Sequence, residues 1–133
     1  REQVGAENIF IFGLQAHEVT SLKARGYAPE TFVASNPDLA RTLDMIDSGY
    51  FSPANVFDGK PIVGRLLSDG EPYFVLADFA AYAKAQDEVD ALYLQPDEWS
   101  RKAVLNALGM GTFSSDRSIR EYAERIWRIK PVL

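Results

Sequence analysis

The stretch from Gly109 to Trp127 constrains the fold of this chain most, because it joins a glycine-rich break to a capping cluster and an amphipathic pattern. Its apolar residues recur at steps of three and four, which places them on one face of a helix. These residues are Ile119, Tyr122, Ala123, Ile126 and Trp127. The opposite face carries arginine and glutamate at i,i+4 spacing, as a solvated face does. We therefore expect a helix whose apolar face is buried.

Three neighbouring residues could begin this helix, since Ser114, Ser115 and Asp116 each carry a short side chain that can accept a first-turn N–H. The sequence leaves open which of them is the N-cap. The spacing Gly109-x-Gly111-x-x-Ser114 also resembles part of a phosphate-binding loop. Such a loop should follow a strand, whereas the residues before Gly109 show a helical pattern. We therefore expect Gly109 to end the preceding helix in the left-handed conformation, within a plain helix–turn–helix.

Most of the remaining chain is predicted to be helical, because prolines and glycines divide it into segments with apolar residues at helical spacing. Asn36-Pro37-Asp38 is a strong start signal, with a capping side chain, a proline at the first helical position and an anion in the first turn. The predicted segments are Ala16 to Arg25, a short turn at Pro29 to Ala34, Pro37 to just before Gly49, Phe57 to Ser68 before Gly70, Asp78 to Leu94, and Pro96 to Leu108.

The longest of these helices carries a stripe of large apolar residues. Asp78 is expected to cap it, and the stripe consists of Phe79, Tyr82, Val89 and Tyr93. An aromatic stripe at helical spacing usually belongs to the core, and stacking against a ligand is the alternative. We expect the stripe to be core.

Two runs are predicted to be strands. Asn8-Ile9-Phe10-Ile11-Phe12 is a continuous apolar run closed by Gly13, typical of a strand covered on both faces in a mostly parallel sheet. Tyr73-Phe74-Val75-Leu76 is a shorter and weaker candidate. A lone buried strand cannot satisfy its own backbone groups, and the helical segments supply few neighbours. Because the chain also begins with Arg1 rather than Met, we expect it to be a fragment.

Composition excludes several classes of protein. With 133 residues, of which 47% are apolar and 25% charged, the chain resembles one globular domain. The net charge of -5, with basic residues interspersed among acidic ones, indicates neither a nucleic acid nor an anionic membrane as partner. No apolar run is long enough for a membrane span. The absence of cysteine excludes disulfides and thiolate sites and is compatible with a reducing cytosol.

Few side chains could carry chemistry. His17 is the only histidine, so it cannot form a metal site with a second one. Asp87, Glu88 and Asp90 point in different directions on a helix, and the pair Asp97-Glu98 is explained by the positive end of a helix dipole. No nucleophile elbow or Walker loop is present. The residues alone predict a mostly helical segment without a catalytic, cofactor-binding or metal-ligating residue.

Five blocks of this sequence resemble, in family order, the C-terminal end of the α-glucan phosphorylases. The blocks are Glu7-Asn8-Ile9-Phe10-Ile11-Phe12-Gly13, Arg25-Gly26-Tyr27, Ser48-Gly49-Tyr50-Phe51-Ser52-Pro53, Leu76-Ala77-Asp78-Phe79, and Gly111-Thr112-Phe113-Ser114-Ser115-Asp116-Arg117-Ser118-Ile119. They run from one end of the chain to the other, which makes the resemblance highly specific.

This resemblance implies a parent enzyme in the cytoplasm, a homodimeric glycosyltransferase that uses pyridoxal phosphate. Enzymes of this family cleave α-1,4-glucans such as glycogen, starch and maltodextrin with phosphate and release glucose 1-phosphate. Their fold is α/β, with two Rossmann-like halves facing each other in the glycosyltransferase-B arrangement. Residues 1–133 would be the C-terminal portion of the cofactor-binding half, without an internal boundary and mostly α-helical with one or two short strands. Asn8 to Phe12 would then be an outer strand of the parent sheet.

The resemblance also implies that this segment is scaffold. The family's cofactor lysine lies in a Gly-Asn-Met-Lys type of segment that precedes the part present here. None of the lysines at positions 23, 60, 84, 102 and 130 has that context. The partners implied are therefore the rest of the phosphorylase chain and, for the parent, glucan and phosphate. The alternative is a stand-alone helical interaction module without catalysis.

Overall fold

The structure is a computed structural model that describes residues 2–52, 58–68 and 71–130. Its α-helices are α1 (Ala16–Arg25), α2 (Pro29–Ser35), α3 (Pro37–Asp47), α4 (Lys60–Leu66), α5 (Val75–Tyr93), α6 (Pro96–Gly109) and α7 (Ser115–Glu121). Short 3-10 helices span Ala6–Asn8 and Met110–Phe113, and a π-helix spans Tyr122–Trp127. Residues 2–52, 58–68 and 71–130 contain no β-strand. The prediction of a mostly helical segment is confirmed.

The chain divides into two compact units. One unit is Phe12–Asp87, and the other joins Arg1–Ile11 to Glu88–Leu133. The core of the first unit comes from α3, α4 and the start of α5. Its buried members are Leu39, Leu43, Val63 and Leu76. Partly buried residues pack around them, namely Phe32, Val33, Ile46, Leu66, Leu67 and Phe79.

Helix α3 begins and ends where the sequence predicts. The side-chain oxygen of Asn36 accepts the N–H groups of Asp38 and Leu39, each at 3.1 Å, as an N-cap does. After the helix, Gly49 adopts a φ of 76°, which glycine reaches without steric cost, and the Tyr50 N–H returns to the last turn. The Asn36 cap and the turn at Gly49 fix where α3 begins and ends, and its residues Leu39 and Leu43 are buried.

The predicted strand at Asn8 to Phe12 is not confirmed. The backbone at Ile9 is extended, with φ -140° and ψ 136°, but no residue among 2–52, 58–68 and 71–130 pairs with it as a strand. Side chains of α6 bind this segment instead: the Asn106 amide donates to the carbonyl of Asn8, and the Lys102 ammonium donates to the carbonyl before it. Helix backbones have already paired their own groups, so only side chains can serve the segment.

The second predicted strand, Tyr73 to Leu76, is wrong. Tyr73 lies in a turn, Phe74 has a φ of 55°, and Val75 and Leu76 already belong to α5. The helix therefore begins three residues before Asp78, which does not cap it. A run of β-branched and aromatic residues is a weak strand signal when a helix start lies inside it.

The last helix begins where the capping cluster predicts. The Ser114 hydroxyl accepts the N–H of Arg117 at 3.2 Å, which makes Ser114 the N-cap of α7. The single helix predicted up to Trp127 continues after α7 as the π-helix Tyr122–Trp127, and the prediction that its apolar face is buried is wrong for this chain. Ile119 and Trp127 are each 55% exposed, and Ile126 is 65% exposed. Nothing in the described part of the chain covers them.

The stripe of large apolar residues on α5 is also not fully in the core, because Tyr82 and Tyr93 are exposed.

Gly109 belongs to α6 and has an ordinary φ of -71°, so the predicted left-handed stop is wrong. Its lack of a side chain serves close packing instead. A Cβ at this position would collide with the Val4 side chain and lie 2.9 Å from the carbonyl oxygen of Gln3. The N-terminal segment therefore lies directly on the backbone of α6.

Two predictions lie outside the described residues, namely the start of the fourth helix at Phe57 and its stop at Gly70.

Replacing Gly109 with alanine should destabilise the chain by about 1–3 kcal/mol, because the new methyl group must displace Val4 and Gln3. Gly111 is the matched control. A Cβ there meets nothing within 4 Å, so Gly111→Ala should be neutral or stabilise by up to about 1 kcal/mol. Urea unfolding of both variants measures the difference. Equal midpoints would contradict the close approach at Gly109.

Candidate functional site

The turn before α5 is held by a buried carboxylate. Glu71 is only 4% exposed, and its two carboxylate oxygens accept the N–H groups of Tyr73 at 2.7 Å and Val75 at 3.1 Å. Between these residues, Phe74 has a φ of 55°, which is rare for a bulky residue and costs about 1–3 kcal/mol. The two hydrogen bonds offset that cost, and the turn leaves Tyr73 at the surface, 79% exposed.

An aromatic cavity of about 380 Å³ opens beside this turn, within the unit Phe12–Asp87. It is lined by Phe12, Tyr73, Val75, Asp78, Phe79 and Tyr82. The rings of Phe12 and Tyr82 meet edge to face, with centroids 5.1 Å apart. Four aromatic rings and one carboxylate therefore surround a volume in the usual range for small-molecule pockets.

Asp78 connects the wall of the aromatic cavity to the segment before α1. Its Oδ1 accepts the N–H of Leu14 at 2.8 Å. Its Oδ2 accepts no hydrogen bond from the residues that the structure describes. Gly13, with a φ of 89°, permits this approach, since a Cβ there would lie 2.7 Å from Oδ2. The carboxylate is thus held in place through Oδ1.

A second cavity, of about 370 Å³, lies on the other side of the same turn. It is lined by Lys23, Tyr27, Glu71, Pro72 and Phe74. The Tyr27 ring packs edge to face on Phe74, with centroids 4.7 Å apart. Its hydroxyl oxygen is buried and has no partner in hydrogen-bond geometry among the described residues.

The pKa of Tyr27 is raised above its ordinary value. Burial is the largest cause, because it disfavours the phenolate, and the negative charge of Glu71 adds to it. The N–H groups of Leu76 and Ala77, at the start of α5, act in the opposite direction. The effect of burial is the largest of these, so the pKa of Tyr27 is raised on balance.

The polar residues that could carry chemistry according to the sequence do not lie together in a site. His17, Asp87, Glu88, Asp90 and the pair Asp97-Glu98 are all exposed. Glu98 pairs with Arg101 at 2.8 Å on the surface of α6. Within residues 2–52, 58–68 and 71–130, no three histidine, aspartate or glutamate side chains are grouped as a metal ion would require. In the same ranges, no helix has both the length and the apolar character needed to cross a membrane.

No pattern in the sequence indicates that Glu71, Tyr27 and Phe12 belong to a site. Glu71 sits in Gly70-Glu71-Pro72, which is a turn signal, but the spacing gives no sign that its carboxylate binds N–H groups at the start of α5. Phe12 was predicted in a strand, and only the path of the chain at Gly13 brings it against Tyr82. These residues come from distant parts of the chain, and no local pattern joins them.

Comparison with known proteins gives one consistent match. The sequence model of the family described as carbohydrate phosphorylase matches residues 1–129. The glycogen phosphorylase of Synechocystis is 47% identical over the whole of this chain, which covers 16% of that relative. That of Chlamydia pneumoniae is 43% identical over 96% of this chain and 15% of its own length. The human brain form is 42% identical over 98% of this chain and 15% of its own length. The chain thus spans about a sixth of these curated relatives.

The raised pKa of Tyr27 predicts a loss of stability at high pH. The folded chain holds the phenol protonated, so its stabilising effect is complete below the unfolded pKa of about 10 and disappears as the pH rises through the folded pKa. Tyr27→Phe should therefore reduce the fall in urea midpoint between pH 8 and pH values above about 10. Tyr73→Phe, on an exposed ring, is the control and should leave the fall unchanged. Equal effects of the two variants would show that burial of Tyr27 is not the cause.

Proposed function

Because this chain belongs to the carbohydrate phosphorylase family, we propose that it is the C-terminal portion of an α-glucan phosphorylase and serves there as scaffold. A match over residues 1–129 to the family, at about a sixth of the length of the relatives, supports a segment of a longer enzyme. The names of the relatives support a glycosyltransferase acting on glycogen. Within the parent the segment would lie in the cofactor-binding half, as one portion of that domain.

For the parent we propose phosphorolysis of α-1,4-glucan to glucose 1-phosphate with pyridoxal phosphate, in a cytoplasmic homodimer. The residues described here do not fit that cofactor. The Lys102 ammonium, for example, is bound to the carbonyl of Glu7 and lies 6.0 Å from the centroid of the Phe10 ring, without a glycine-rich cradle for a phosphate. The cofactor would be held by residues outside this chain, and no catalytic step is assigned to the residues present.

The uncovered face of the last helix is the observation that carries the scaffold proposal. Tyr122 and Trp127 pack against each other edge to face, with centroids 6.0 Å apart, yet both remain about half exposed. Ile119 and Ile126 are more than half exposed as well, and several large apolar side chains exposed close together in the sequence indicate a contact surface. The rest of the phosphorylase polypeptide would cover it.

We further propose that the parent has the glycosyltransferase-B fold and that Asn8 to Phe12 is an outer strand of its sheet. The extended backbone at Ile9 supports this. The carbonyls of Glu7 and Asn8 are bound by side chains of α6, an arrangement that leaves the following backbone groups open to a neighbouring strand.

An independent helical interaction module is the alternative, since its partner could cover the same apolar face. The coding sequence upstream separates the two. A Gly-Asn-Met-Lys type of segment shortly before Arg1 supports the enzyme, whereas an initiator methionine directly before Arg1 supports the module.

The intact enzyme and the 133-residue chain should differ completely in activity. The intact protein should keep pyridoxal absorbance after dialysis and form glucose 1-phosphate from maltodextrin and phosphate. The chain alone should do neither, because it lacks the residues for both. Glucose 1-phosphate from the purified chain would contradict the scaffold proposal.

Trp127→Ala should have different effects in the two contexts. In the intact enzyme, where the face would be covered, it should cost on the order of 3–5 kcal/mol, the range for large aromatic truncations in cores. In the chain alone, where Trp127 is 55% exposed, the cost should stay below about 1 kcal/mol.

Thermal unfolding of the intact enzyme and of the chain alone measures this difference. Arg120→Ala, on the polar face, is the control, and it should change the free energy of unfolding by about a few tenths of a kcal/mol in each protein. A small effect of Trp127→Ala in the intact enzyme would mean that the rest of the polypeptide does not cover this face.

A further inference from the structure

Arg128 ends the last helix in a conformation that suits glycine better than arginine. It follows the π-helix Tyr122–Trp127, and its backbone is left-handed, with φ 54° and ψ 39°. The chain turns back here, because the Ile129 N–H donates to the carbonyl of Ala123 at 3.0 Å. Helices commonly stop in this way at glycine, since a Cβ makes the left-handed conformation costly. An arginine at this stop therefore strains the backbone.

Little in the described part of the chain offsets this strain. The Arg128 side chain is exposed and forms no ion pair with any residue among 2–52, 58–68 and 71–130. Phe74, the other non-glycine residue with a positive φ in these ranges, differs, because the bonds of Glu71 hold its turn. The negative end of a helix favours a cation, but Arg125 in the last turn already supplies one. No contact of the described residues therefore explains an arginine at this stop.

The sequence neighbours of Arg128 combine exposed apolar side chains with basic ones. Trp127 and Ile129 flank it directly and are 55% and 57% exposed. From Asp116 to Lys130 the chain has five basic and three acidic residues, although the net charge of the whole chain is -5. A surface that covers this segment therefore meets apolar side chains together with an excess of positive charge. A carboxylate is complementary to that charge.

We propose that Arg128 binds a carboxylate on the part of the phosphorylase polypeptide that lies outside residues 1–133. This inference rests on the proposed function, because the carboxylate would come from the rest of that enzyme, which makes up most of the length of the relatives. The guanidinium would donate two parallel hydrogen bonds to the carboxylate. Burial of Trp127 in the same contact would exclude water and strengthen the ion pair. A contact made only in the intact enzyme would then offset the strain at the stop.

Hydrogen exchange of residues 115–130 in the intact phosphorylase tests this contact, because exchange measures local opening. Arg128→Gly removes the backbone strain and the ion pair together, and the two effects have opposite signs. Relief of strain alone should slow the exchange, whereas loss of the ion pair should speed it. We expect exchange about 5- to 30-fold faster than in the unchanged enzyme, the factor that corresponds to one or two kcal/mol.

Two further variants separate the charge from the backbone. Arg128→Gln removes the charge and keeps the strain, so exchange should be faster than in Arg128→Gly. Arg120→Ala is the control, because Arg120 also lacks an ion pair among the described residues but lies within α7, where the backbone is helical. This control should change the exchange by less than about twofold.

Slower exchange in Arg128→Gly than in the unchanged enzyme would overturn the proposal, because relief of strain would then be the whole effect. Equal effects of Arg120→Ala and Arg128→Gln would also overturn it. So would slower exchange on addition of inorganic phosphate to the unchanged enzyme but not to Arg128→Gln, since the partner would then be a free anion. Glucose 1-phosphate formation by the unchanged enzyme is a separate readout, which distinguishes a failure of the proposed function from a failure of this contact.

Discussion

The unit Phe12–Asp87 depends on the buried carboxylate of Glu71. A carboxylate that leaves water is costly unless hydrogen bonds replace its hydration, and the free N–H groups before and at a helix start are suitable donors. Glu71 accepts two of them, from Tyr73 and Val75, and α5 begins at the second. The same bonds hold Phe74 in a conformation that it would otherwise avoid. From this start, α5 directs Leu76 into the core and Asp78 towards Leu14.

The other unit is held by a different kind of contact. Its N-terminal segment lies on α6 through side chains that bind backbone carbonyls and through the close approach at Gly109. Asn8 is buried there, with its amide donating to the carbonyl of Val4 at 2.7 Å. Large apolar side chains stay exposed nearby on α6 and after it, including Leu108 and Phe113. Among the residues of this unit that the structure describes, few are buried.

Local signals predicted most of the helices because the energies that begin and end a helix come from adjacent residues. Asn36-Pro37 and Gln95-Pro96 marked the starts of α3 and α6, and Gly26 and Gly49 marked stops with positive φ. The strand at Asn8 to Phe12 was not confirmed, because a strand needs a partner that local sequence cannot supply. The prediction that Trp127 is buried was wrong for a similar reason. Periodicity shows which residues share a face of a helix, but it does not show what lies against that face.

The sequence by itself determined the helical character of the chain, the N-cap cluster at Ser114 and, through five ordered blocks, the family to which the chain belongs. It did so because capping, helical spacing and family motifs are properties of neighbouring residues. Only the tertiary structure decided that Glu71 is buried at the start of α5, that Gly109 serves packing, and that Phe12, Tyr73 and Tyr82 enclose one cavity. Those contacts join residues far apart in the chain, and their energies exist only once the helices have packed.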